Sequence, residues 1–505
     1  MKKIKTALIS VYHKDNLEKI IHQLAAFDVR ILSTGGTYSF IESMKVPVEE
    51  VSDLTGYPSI LDGRVKTLHP KVFGGILAKR EADHMAQLEQ YEIPPIDLVI
   101  VDLYPFEKTV AETNEEGVII EKIDIGGVSL IRAAAKNYND VLIVGSQNEY
   151  ADLEQVLAQN EGGSNLAERK GFAKKAFGVT MHYDTAIYKY FAGNDFPTIT
   201  EMVQHPVPLR YGENPHQSAV YYGDLDSRFK KICGKDLSYN NLTDVDAAVN
   251  LMSEFLDEKP TMAILKHTNP CGLATRNTVS AAWDAALAGD PVSAFGGIII
   301  SNTPIDLETA EKIDKIFYEV VIAPDFSMEA IDFLSKKKNR ILLKILHFNQ
   351  SKLTYKQLLD GLIVQDTNGS TQKATDLQNV STSEPGESEI KDLLFANKLV
   401  KHLKSNAIAI AKDLQLCGIG NGQTSRVDAC RQSIEKAQHF DFDLEGAVMA
   451  SDAFFPFPDC AQLAHEAGIT AIIQPGGSIK DQLSIDYCNK NGLAMVFTGT
   501  RHFKH

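Results

Sequence analysis

Apolar residues occur in short runs separated by amphipathic stretches along the first 150 residues. The runs at 4–11, 29–32, 98–101 and 141–144 predict buried strands, because each is short, apolar and bounded by turn residues. Residues 15–27 carry apolar side chains at helical spacing, with Asp15 near the start of the predicted helix. Strands alternating with helices predict a parallel sheet with both faces covered by helices.

The pattern changes after residue 150. Residues 150–205 predict a helix-rich connector, with apolar side chains at roughly helical intervals over 169–190. Beyond it, short apolar runs at 261–265, 298–300 and 407–411 again predict buried strands. The sequence therefore predicts one domain over 1–199, with its core at about 1–146, and a second over 200–505. Residues 335–383 are predicted to be a sheet connection plus a loop, without assigned chemistry.

Composition narrows the class of protein. The 505 residues, 44% hydrophobic and 23% charged, are typical of a soluble globular chain of two to four domains. A net charge of −15 argues against a nucleic-acid-binding or anionic-membrane surface. No apolar run is close to the length of about 20 residues that a membrane-spanning helix needs. Six cysteines without CxxC spacing favour reduced thiols, and thus the cytoplasm, over disulfides or a zinc cluster.

The first part contains three polar stretches with candidate chemistry. Residues 33–37, Ser-Thr-Gly-Gly-Thr, join a predicted strand to a predicted helix, where N–H groups and hydroxyls can hold a phosphate. Residues 63–71 are dense in cations, although a solvated basic loop is the alternative. Gly126-Gly127 precede a predicted helix on which Arg132 and Lys136 share one face, although a plain amphipathic helix is the alternative.

The second part is organised around Lys266-His267, which follow the predicted strand 261–265 and precede a predicted Asn-Pro-Cys-Gly turn at 269–272. A cation beside an imidazole can bind an anion and move a proton near neutral pH. A capped strand with two exposed polar residues is the alternative. Arg210 with Tyr211 is a suitable pair for holding a phosphate and a base.

Polar loops also follow the apolar strands of the C-terminal third. The glycine-rich residues 418–426 are not a dinucleotide fingerprint, because Gln423 stands where the third glycine is required. The loops at 451–459, 474–478 and 500–503 each come after an apolar strand, so their side chains are expected at one rim. The aromatic cluster at 454–457 fits a core or a subunit interface equally well.

Taken in order, the stretches at 10–14, 33–37, 63–71, 102–106 and 122–137 resemble the IMP cyclohydrolase domain of the enzymes that join AICAR transformylase to IMP cyclohydrolase. The resemblance implies an α/β fold with an N-terminal methylglyoxal-synthase-like parallel-sheet domain that binds a nucleotide monophosphate. Tyr12-His13 departs from the family's small residue followed by an acid. The implied catalytic group is Lys66, Tyr104, Asp124 and Lys136. The implied nucleotide contacts are Ser10, Lys14, Ser33, Thr34, Gly35, Gly36, Thr37, Arg64, Thr67, Gly126 and Gly127.

The second part resembles the AICAR transformylase domain of the same family, which holds two cytidine-deaminase-like halves and builds each active site from two subunits. No internal repeat is evident in the sequence, so the duplication is implied by the resemblance alone. Lys266 and His267 are the implied catalytic pair. The implied contacts to AICAR are Arg210, Tyr211, Gly296, Glu319, Asn406, Phe454 and Arg501. The folate-side candidates are Phe295, Arg426, Asp459 and Ser478.

The resemblance implies the last two steps of IMP synthesis. A formyl group passes from 10-formyltetrahydrofolate, the co-substrate, to the 5-amino group of AICAR, and the product FAICAR then cyclises to IMP with loss of water. His267 would accept the amine proton, and Lys266 would stabilise the oxyanion. In cyclisation, cations would stabilise the oxyanion while Asp124 and Tyr104 handle protons. No metal is required, and a homodimer with shared transformylase sites is expected.

Three alternatives remain. A zinc-dependent deaminase needs His-x-Glu and Pro-Cys-x-x-Cys ligands, but Cys271 lacks the second cysteine and no His of the second part is followed by the required Glu. A non-catalytic purine-nucleotide-binding protein would not need proton-transfer groups in two places. The last alternative is that only one of the two activities is retained.

Overall fold

The fold was analysed in a computed structural model that describes residues 1–61, 65–193 and 206–505. The chain divides into two compact units, Met1–Met202 and Val203–His505. Arg64, one of the expected nucleotide contacts, lies outside the described residues. None of the described helices is long and apolar enough to cross a membrane.

The first unit is built from short strands and mostly short helices. Its strands are β1 (Lys2–Lys3), β2 (Thr6–Ser10), β3 (Arg30–Ser33), β4 (Glu49–Glu50), β5 (Leu98–Val101), β6 (Leu142–Val144) and β7 (Gly163–Ser164). Its helices are α1 (Leu17–Ala26), α2 (Gly35–Ser43), α3 (Val51–Thr55), α4 (Pro70–Leu77), α5 (Ala82–Gln90), α6 (Phe106–Glu112), α7 (Glu116–Ile120), α8 (Gly126–Lys136), α9 (Tyr150–Gln159) and α10 (Leu166–Ala192).

A parallel sheet in the order β4-β3-β2-β5-β6 forms the centre of this unit. Residues of the strands alternate between two apolar clusters, one on each face of the sheet; Leu8 and Ile9 of β2 belong to different clusters. Because all five strands run the same way, the loops after β2, β3 and β5 emerge at one edge. That edge carries Ser10, Thr34 and Tyr104.

The second unit has more strands, most of them in one sheet. Its strands are β8 (Pro206–Pro208), β9 (Val220–Tyr222), β10 (Phe229–Cys233), β11 (Thr261–Lys266), β12 (Asn269–Thr275), β13 (Gly297–Ser301), β14 (Tyr318–Ala323), β15 (Ile341–Ile345), β16 (Leu353–Leu358), β17 (Gly361–Asp366), β18 (Gln378–Asn379), β19 (Ile408–Lys412), β20 (Gln415–Gly420), β21 (Val448–Ser451), β22 (Ala471–Gln474) and β23 (Ala494–Phe497). Its helices are α11 (Tyr239–Met252), α12 (Val279–Ala288), α13 (Leu307–Ile313), α14 (Met328–Leu334), α15 (Glu387–Val400), α16 (Arg426–His439), α17 (Asp459–Glu466) and α18 (Asp481–Asn491).

An internal duplication organises the large sheet, whose order is β10-β15-β14-β13-β11-β12-β20-β19-β21-β22-β23-β18. The succession α11-β11-β12-α12-β13-α13-β14-α14-β15 recurs as α15-β19-β20-α16-β21-α17-β22-α18-β23. Each half has one antiparallel hairpin followed by three parallel strands, and the hairpins meet where β12 pairs with β20. One apolar cluster spans both halves on one face, and each half has its own cluster on the other.

The strand directions place the polar loops of both halves at one edge of this sheet. The end of β11 lies beside the start of β13, because these strands are antiparallel. In the second half, the start of β19 lies beside the end of β21, and β22 and β23 run parallel to β21. The edge that carries Lys266 therefore also carries the loops that follow β21, β22 and β23.

Two local expectations were wrong or incomplete. The turn predicted at 269–272 belongs to strand β12, and the chain reverses instead at His267 and Thr268. Gly272 serves close packing, because a Cβ atom there would lie 1.7 Å from the carbonyl oxygen of Ala286 in helix α12. Residues 335–383 contain β15 of the large sheet and also the exposed hairpin β16–β17, where only a loop was expected.

Candidate active sites

The turn between β3 and α2, where a phosphate cradle is expected, leads into a helix N-terminus. The first N–H groups of a helix have no acceptor within the helix, so those at the start of α2 can bind an anion. The hydroxyls of Ser10 and Thr34 lie beside this helix end, 3.1 Å apart. The hydroxyls of Ser33 and Thr37 instead donate to the carbonyls of Ile9 and Val11, at 2.8 and 2.9 Å. Ser33 and Thr37 therefore connect the β3–α2 turn to the end of β2 and the residue that follows it.

Lys66 and Thr67 connect this cradle to a second helix N-terminus. The ammonium nitrogen of Lys66 lies 3.4 Å from the Cβ position of Gly35 at the start of α2. The hydroxyl oxygen of Thr67 lies 3.2 Å from the Cβ position of Gly126 at the start of α8. Two positive helix ends and one ammonium group thus surround one region, which favours an anionic ligand.

Asp124 and Tyr104, two of the expected catalytic residues, lie close together in this region. Asp124 accepts the N–H of Gly127 at 2.6 Å, and its own N–H donates to the hydroxyl of Tyr183 at 2.9 Å. Burial raises the pKa of Asp124, although hydrogen bonds from backbone N–H groups act to lower it. Burial and the nearby carboxylate of Asp124 raise the pKa of Tyr104, so this phenol keeps its proton at neutral pH and can donate it.

Tyr12 and Lys122 are at this site but were missed as candidates. The rings of Tyr12 and Tyr104 are 5.5 Å apart, edge to face, and the Lys122 ammonium lies 5.5 Å and 5.6 Å from their centroids. Lys122 stands two residues before Asp124, so its place in that motif was the available signal. Tyr12 belongs to the pair of residues that departs from the family pattern.

The other member of that pair, His13, orders the loop after β2. Its ring Nδ1 lies 2.8 Å from a carboxylate oxygen of Asp102, which also accepts the backbone N–H of His13 at 2.9 Å. Asp102 accepts the N–H of Tyr12 as well. Lys14 turns back onto the loop and donates to the carbonyl of Tyr12 at 2.9 Å. The His13 side chain, which departs from the family pattern, therefore adds one contact to a loop that Asp102 also holds through backbone N–H groups.

Lys136 lies apart from the other three expected catalytic residues of this unit. It is exposed at the C-terminal end of α8, whereas Gly126 and Gly127 begin this helix. Ten residues of helix correspond to about 15 Å along the axis. The geometry assembles Lys66, Tyr104 and Asp124 near the start of α8 and leaves the role of Lys136 a prediction.

In the second unit, a cavity of about 1040 Å³ brings together six of the expected site residues. They come from separate parts of the chain: Arg210, Tyr211, Lys266, His267, Gly296 and Glu319. The Arg210 guanidinium lies 5.5 Å from the centroid of the Tyr211 ring. A charged and aromatic pair of this kind suits a phosphate and a base.

The Lys-His pair lies at the tip of the β11–β12 hairpin. His267 and Thr268 adopt φ values of 51° and 65°, and Lys266 pairs with Asn269 across the turn. The Lys266 ammonium donates to the carbonyl of Phe295 at 2.8 Å. This contact links the cation to the loop of Gly296, where a φ of 78° explains the need for glycine.

The cavity also contains polar residues that the sequence did not single out, namely Lys231, Lys235, Asn240, Asn241 and Asp244. Lys235 pairs with Glu319, with 2.7 Å between their charged atoms. Asp244 accepts the N–H groups of His267 and Thr268. None of these residues stands in a motif with recognisable spacing, so only the fold brings them to the site.

Arg426 organises a second group of expected residues at the same sheet edge. One guanidinium nitrogen donates to the amide oxygen of Asn406 and to Asp452, both at 2.8 Å, and another donates to the carbonyl of Phe454 at 3.2 Å. Arg426 and Asp452 are buried. The guanidinium therefore positions Asn406 and Phe454, and it is itself largely shielded from a ligand.

The remaining candidates lie on loops along this edge. Arg501 stacks over the Phe503 ring at 4.4 Å, and Phe295 packs against Phe317 at 5.3 Å with its own side chain 59% exposed. Asp459 begins α17, and the hydroxyl of Ser478 accepts the N–H of Lys480 at 3.1 Å. Strands β12 and β20 separate the group around Arg426 from Lys266 and His267.

The ligand set of a zinc deaminase is not present in the part of the chain that the structure describes. No group of three or more His, Cys, Asp or Glu side chains there is arranged to hold a metal ion. Cys271 is buried in β12, and burial raises the pKa of its thiol to about 12. Burial therefore keeps this thiol protonated at neutral pH.

The fold defines a two-domain α/β protein, and each of its two units gathers charged and polar side chains in one region. Family models match both parts of the chain: "MGS-like domain" over residues 16–129 and "AICARFT/IMPCHase bienzyme" over residues 134–436. The chain belongs to the AICARFT/IMPCHase bienzyme family.

Full-length relatives agree with this assignment. The bifunctional purine biosynthesis protein PurH of Bacteroides thetaiotaomicron is 58% identical over 505 residues, which cover 100% of this chain and 99% of that protein. The PurH protein of Acetivibrio thermocellus is 47% identical, covering 99% of this chain and 100% of that protein. A solved structure described as the crystal structure of ForH is 32% identical over 37% of this chain and 97% of its own, with a TM-score of 0.34.

Proposed function

We propose that the first unit closes the ring of FAICAR and that the second unit transfers the formyl group to AICAR. As a member of its family, the chain is a bifunctional enzyme of purine synthesis, an AICAR formyltransferase and IMP cyclohydrolase. The observation that carries the assignment of the second unit is the cavity in which Lys266 and His267 meet Arg210, Tyr211 and Glu319.

In formyl transfer, the 5-amino group of AICAR attacks the formyl carbon carried on N10 of 10-formyltetrahydrofolate. His267 accepts the proton that the amine loses as the new C–N bond forms. Lys266 stabilises the negative oxygen of the tetrahedral centre, and the bond to N10 then breaks, with N10 taking up a proton. Arg210 and Tyr211 hold the nucleotide, and Glu319, oriented by Lys235, accepts hydrogen bonds from its ribose.

In ring closure, the carboxamide nitrogen of FAICAR attacks the formyl carbon of the same molecule, and water leaves. The start of α2, with Ser10 and Thr34, binds the nucleotide phosphate. Lys66 stabilises the oxyanion that forms at the former formyl oxygen. Asp124 accepts the proton from the attacking nitrogen, and Tyr104 protonates the oxyanion. The resulting hydroxyl group leaves as water with the proton that Asp124 returns, and the former formamide nitrogen gives its N–H proton back to Tyr104 as the C=N bond forms.

The transformylase site is completed by a second copy of the chain. The group around Arg426 lies on the same sheet edge as Lys266 but three strands away from β11, or about 14 Å at ordinary strand spacing. Because one nucleotide does not span both groups, Asn406, Phe454 and Arg501 of a second copy supply the other wall of the site. The enzyme is thus a homodimer with shared sites.

Two inactive variants test this sharing. His267→Ala and Arg501→Ala chains are each expected to lack formyl transfer, and dimers formed from both regain one intact site. Equal mixing and reassembly then restore about a quarter of the wild-type rate, since half of the dimers are mixed and each has one working site. A mixture as inactive as its components would place all of these residues in one chain's site.

A product assay tests the two assignments. The intact protein, given AICAR and 10-formyltetrahydrofolate, is expected to release IMP. His267→Ala stops formyl transfer, and Lys66→Ala accumulates FAICAR. If His267→Ala still transfers formyl groups at the normal rate, the transformylase site lies elsewhere. The cyclisation draws the transfer forward, and the reaction takes place in the cytoplasm, where the six free cysteines remain reduced.

A further inference from the structure

The side chain of Asp244 holds the tip of the β11–β12 hairpin. Its two carboxylate oxygens accept the backbone N–H groups of His267 and Thr268, at 3.2 and 2.7 Å. Asp244 is the sixth residue of α11, and it lines the same cavity as Lys266 and His267. The carboxylate therefore binds the backbone of the catalytic residue itself.

The turn needs such support, because both of its central residues have left-handed backbone conformations. Two-residue hairpin turns of this type favour Asn and Gly, whereas a β-branched residue such as Thr268 is strongly disfavoured at a φ of 65°. Side chains close the rest of the turn: the Thr268 hydroxyl and the Asn269 amide both donate to the His267 carbonyl, at 2.7 and 2.9 Å.

The second half of the unit repeats this arrangement at the opposite edge of the sheet. Asp392, the sixth residue of α15, accepts the N–H groups of Asp413 and Leu414 at 2.8 and 2.7 Å. These two residues have φ values of 54° and join β19 to β20. The Asp413–Leu414 turn carries neither of the proposed catalytic residues, and it does not line the cavity.

We propose that Asp244 is a positioning residue for formyl transfer. By holding the His267–Thr268 turn in its left-handed conformation, the carboxylate sets the direction in which the His267 imidazole and the Lys266 ammonium enter the cavity. The duplication places this clamp, a carboxylate that accepts both N–H groups of a hairpin turn, in both halves. Only in the first half does the turn carry proposed catalytic groups. This inference rests on the proposed role of His267.

The test compares Asp244→Asn with Asp392→Asn in the full-length enzyme. Asparagine offers one acceptor oxygen, and its NH2 group would face the second N–H donor, so either substitution breaks one of two equivalent clamps. Asp244→Asn is expected to lower the kcat of formyl transfer by about 10- to 100-fold, as small misplacements of reacting groups do. The KM for AICAR should change far less than kcat, and the cyclohydrolase rate should not change.

Asp392→Asn is the matched control. Asp392 is buried, so its loss disturbs folding at least as much as the loss of the partly exposed Asp244. The control is expected to lose thermal stability while keeping the wild-type kcat of formyl transfer. Equal losses of kcat in both variants, or a wild-type kcat in Asp244→Asn, would overturn the proposal.

A second substitution distinguishes the positioning of His267 and Lys266 from a general loss of protein stability. Glycine adopts positive φ without steric cost, so Thr268→Gly is expected to restore part of the lost kcat when combined with Asp244→Asn. If Asp244→Asn does not fold, Asp244→Glu keeps both acceptor oxygens but moves them by one methylene, and a wild-type kcat in this variant would contradict the proposal. His267→Ala is measured in parallel. If it retains transfer, the proposed function itself fails; if it is inactive while Asp244→Asn is normal, only the inference fails.

Discussion

The ammonium group of Lys66 lies directly above Gly35, 3.4 Å from the place that a Cβ atom would occupy. Gly35 has a φ of 48° and is the first residue of α2, whose N-terminus is the proposed phosphate site. The absence of a side chain at Gly35 thus serves both the left-handed backbone and the approach of the cation. It brings a proposed catalytic group next to the proposed phosphate site.

Gly35→Ala is expected to impair ring closure selectively. An alanine in the left-handed region costs about 1–2 kcal/mol, and its methyl group would lie in van der Waals contact with the Lys66 ammonium, which limits how closely this cation can approach the start of α2. We expect the cyclohydrolase kcat/KM for FAICAR to fall at least about tenfold, as a misplaced catalytic cation predicts. Formyl transfer by the same protein should be unaffected.

Gly56→Ala is the control for that experiment. Gly56 has a comparable φ of 66°, but nothing lies within 4 Å of its Cβ position. It should therefore show the cost in stability, measured by thermal unfolding, without the loss of ring closure. Equal kinetic losses in both variants would mean that backbone strain, rather than the position of Lys66, controls the cyclohydrolase.

Gly127→Ala tests whether ring closure depends on the position of the Asp124 carboxylate, independently of helix stability. A Cβ atom at Gly127 would lie 2.6 Å from a carboxylate oxygen of Asp124 and so displace this proposed base. Because alanine is a better helix former than glycine, the variant should fold normally while cyclohydrolase activity falls. Gly117→Ala, in α7 with open space around its Cβ position, should leave both activities intact. Normal ring closure in Gly127→Ala would remove Asp124 from the mechanism.

Much of the fold follows from local patterns. The apolar strands at 98–101 and 261–265 were predicted within one residue, because buried strands of parallel and central sheets are continuous apolar runs. The Lys266-His267 pair was found for the same reason, since it directly follows such a run. Polar residues at the ends of buried strands are therefore visible without a structure.

Residues that act through tertiary contacts could not be found in this way. Asp244 lies on a helix more than twenty positions before the turn that it binds, and its spacing resembles that of any exposed helical acid. Tyr12 joins Tyr104 only because β2 and β5 are neighbours in the sheet. The duplication was implied only by the family resemblance and not by the residue pattern, since it preserves the order of elements and the two aspartates that bind the hairpin turns rather than a sequence motif.

The prediction of a turn at 269–272 was wrong for a clear physical reason. An Asn-Pro pair with a glycine two residues later is a strong turn signal, yet Pro270 and Gly272 lie within strand β12. Gly272 is required there by the close approach of α12. The actual turn uses His267 and Thr268, although local preference strongly disfavours Thr268 at positive φ, and the Asp244 carboxylate stabilises it.

The Lys235–Glu319 pair supports a prediction about AICAR affinity. If Lys235 orients Glu319 towards the ribose, Lys235→Met should raise the KM for AICAR several-fold with little change in kcat. Both side chains are partly exposed, so stability should hardly change. Lys344→Met, which removes a comparable ion pair with Asp325 outside the cavity, should leave the KM unchanged. A raised kcat with an unchanged KM in Lys235→Met would contradict this role.

His502 is a buried histidine near the C-terminus whose surroundings suit only the neutral ring. Its Nε2 lies 3.0 Å from the amide oxygen of Gln372, and its Nδ1 lies 3.1 Å from the amide nitrogen of Asn368. A proton on Nδ1 would face the NH2 group of Asn368. Burial lowers the pKa of His502 to about 4, from an ordinary value of 6.5.

The enzyme is therefore expected to lose stability on mild acidification. Between pH 6.5 and about 4 the unfolded chain binds a proton at His502 that the folded chain does not, so stability rises with pH in this window and is lost as pH falls. The shift corresponds to about 3 kcal/mol at full extent.

His502→Gln should flatten the pH dependence of the unfolding free energy, measured by chemical denaturation from pH 7 to 5, even if it lowers stability at pH 7. His402, whose pKa burial also lowers, contributes to the slope in the same direction, whereas Glu149, whose pKa burial raises to about 7, opposes it. The exposed His439→Gln should leave the slope unchanged, and an unaltered slope in His502→Gln would show that this histidine is not the source of acid sensitivity.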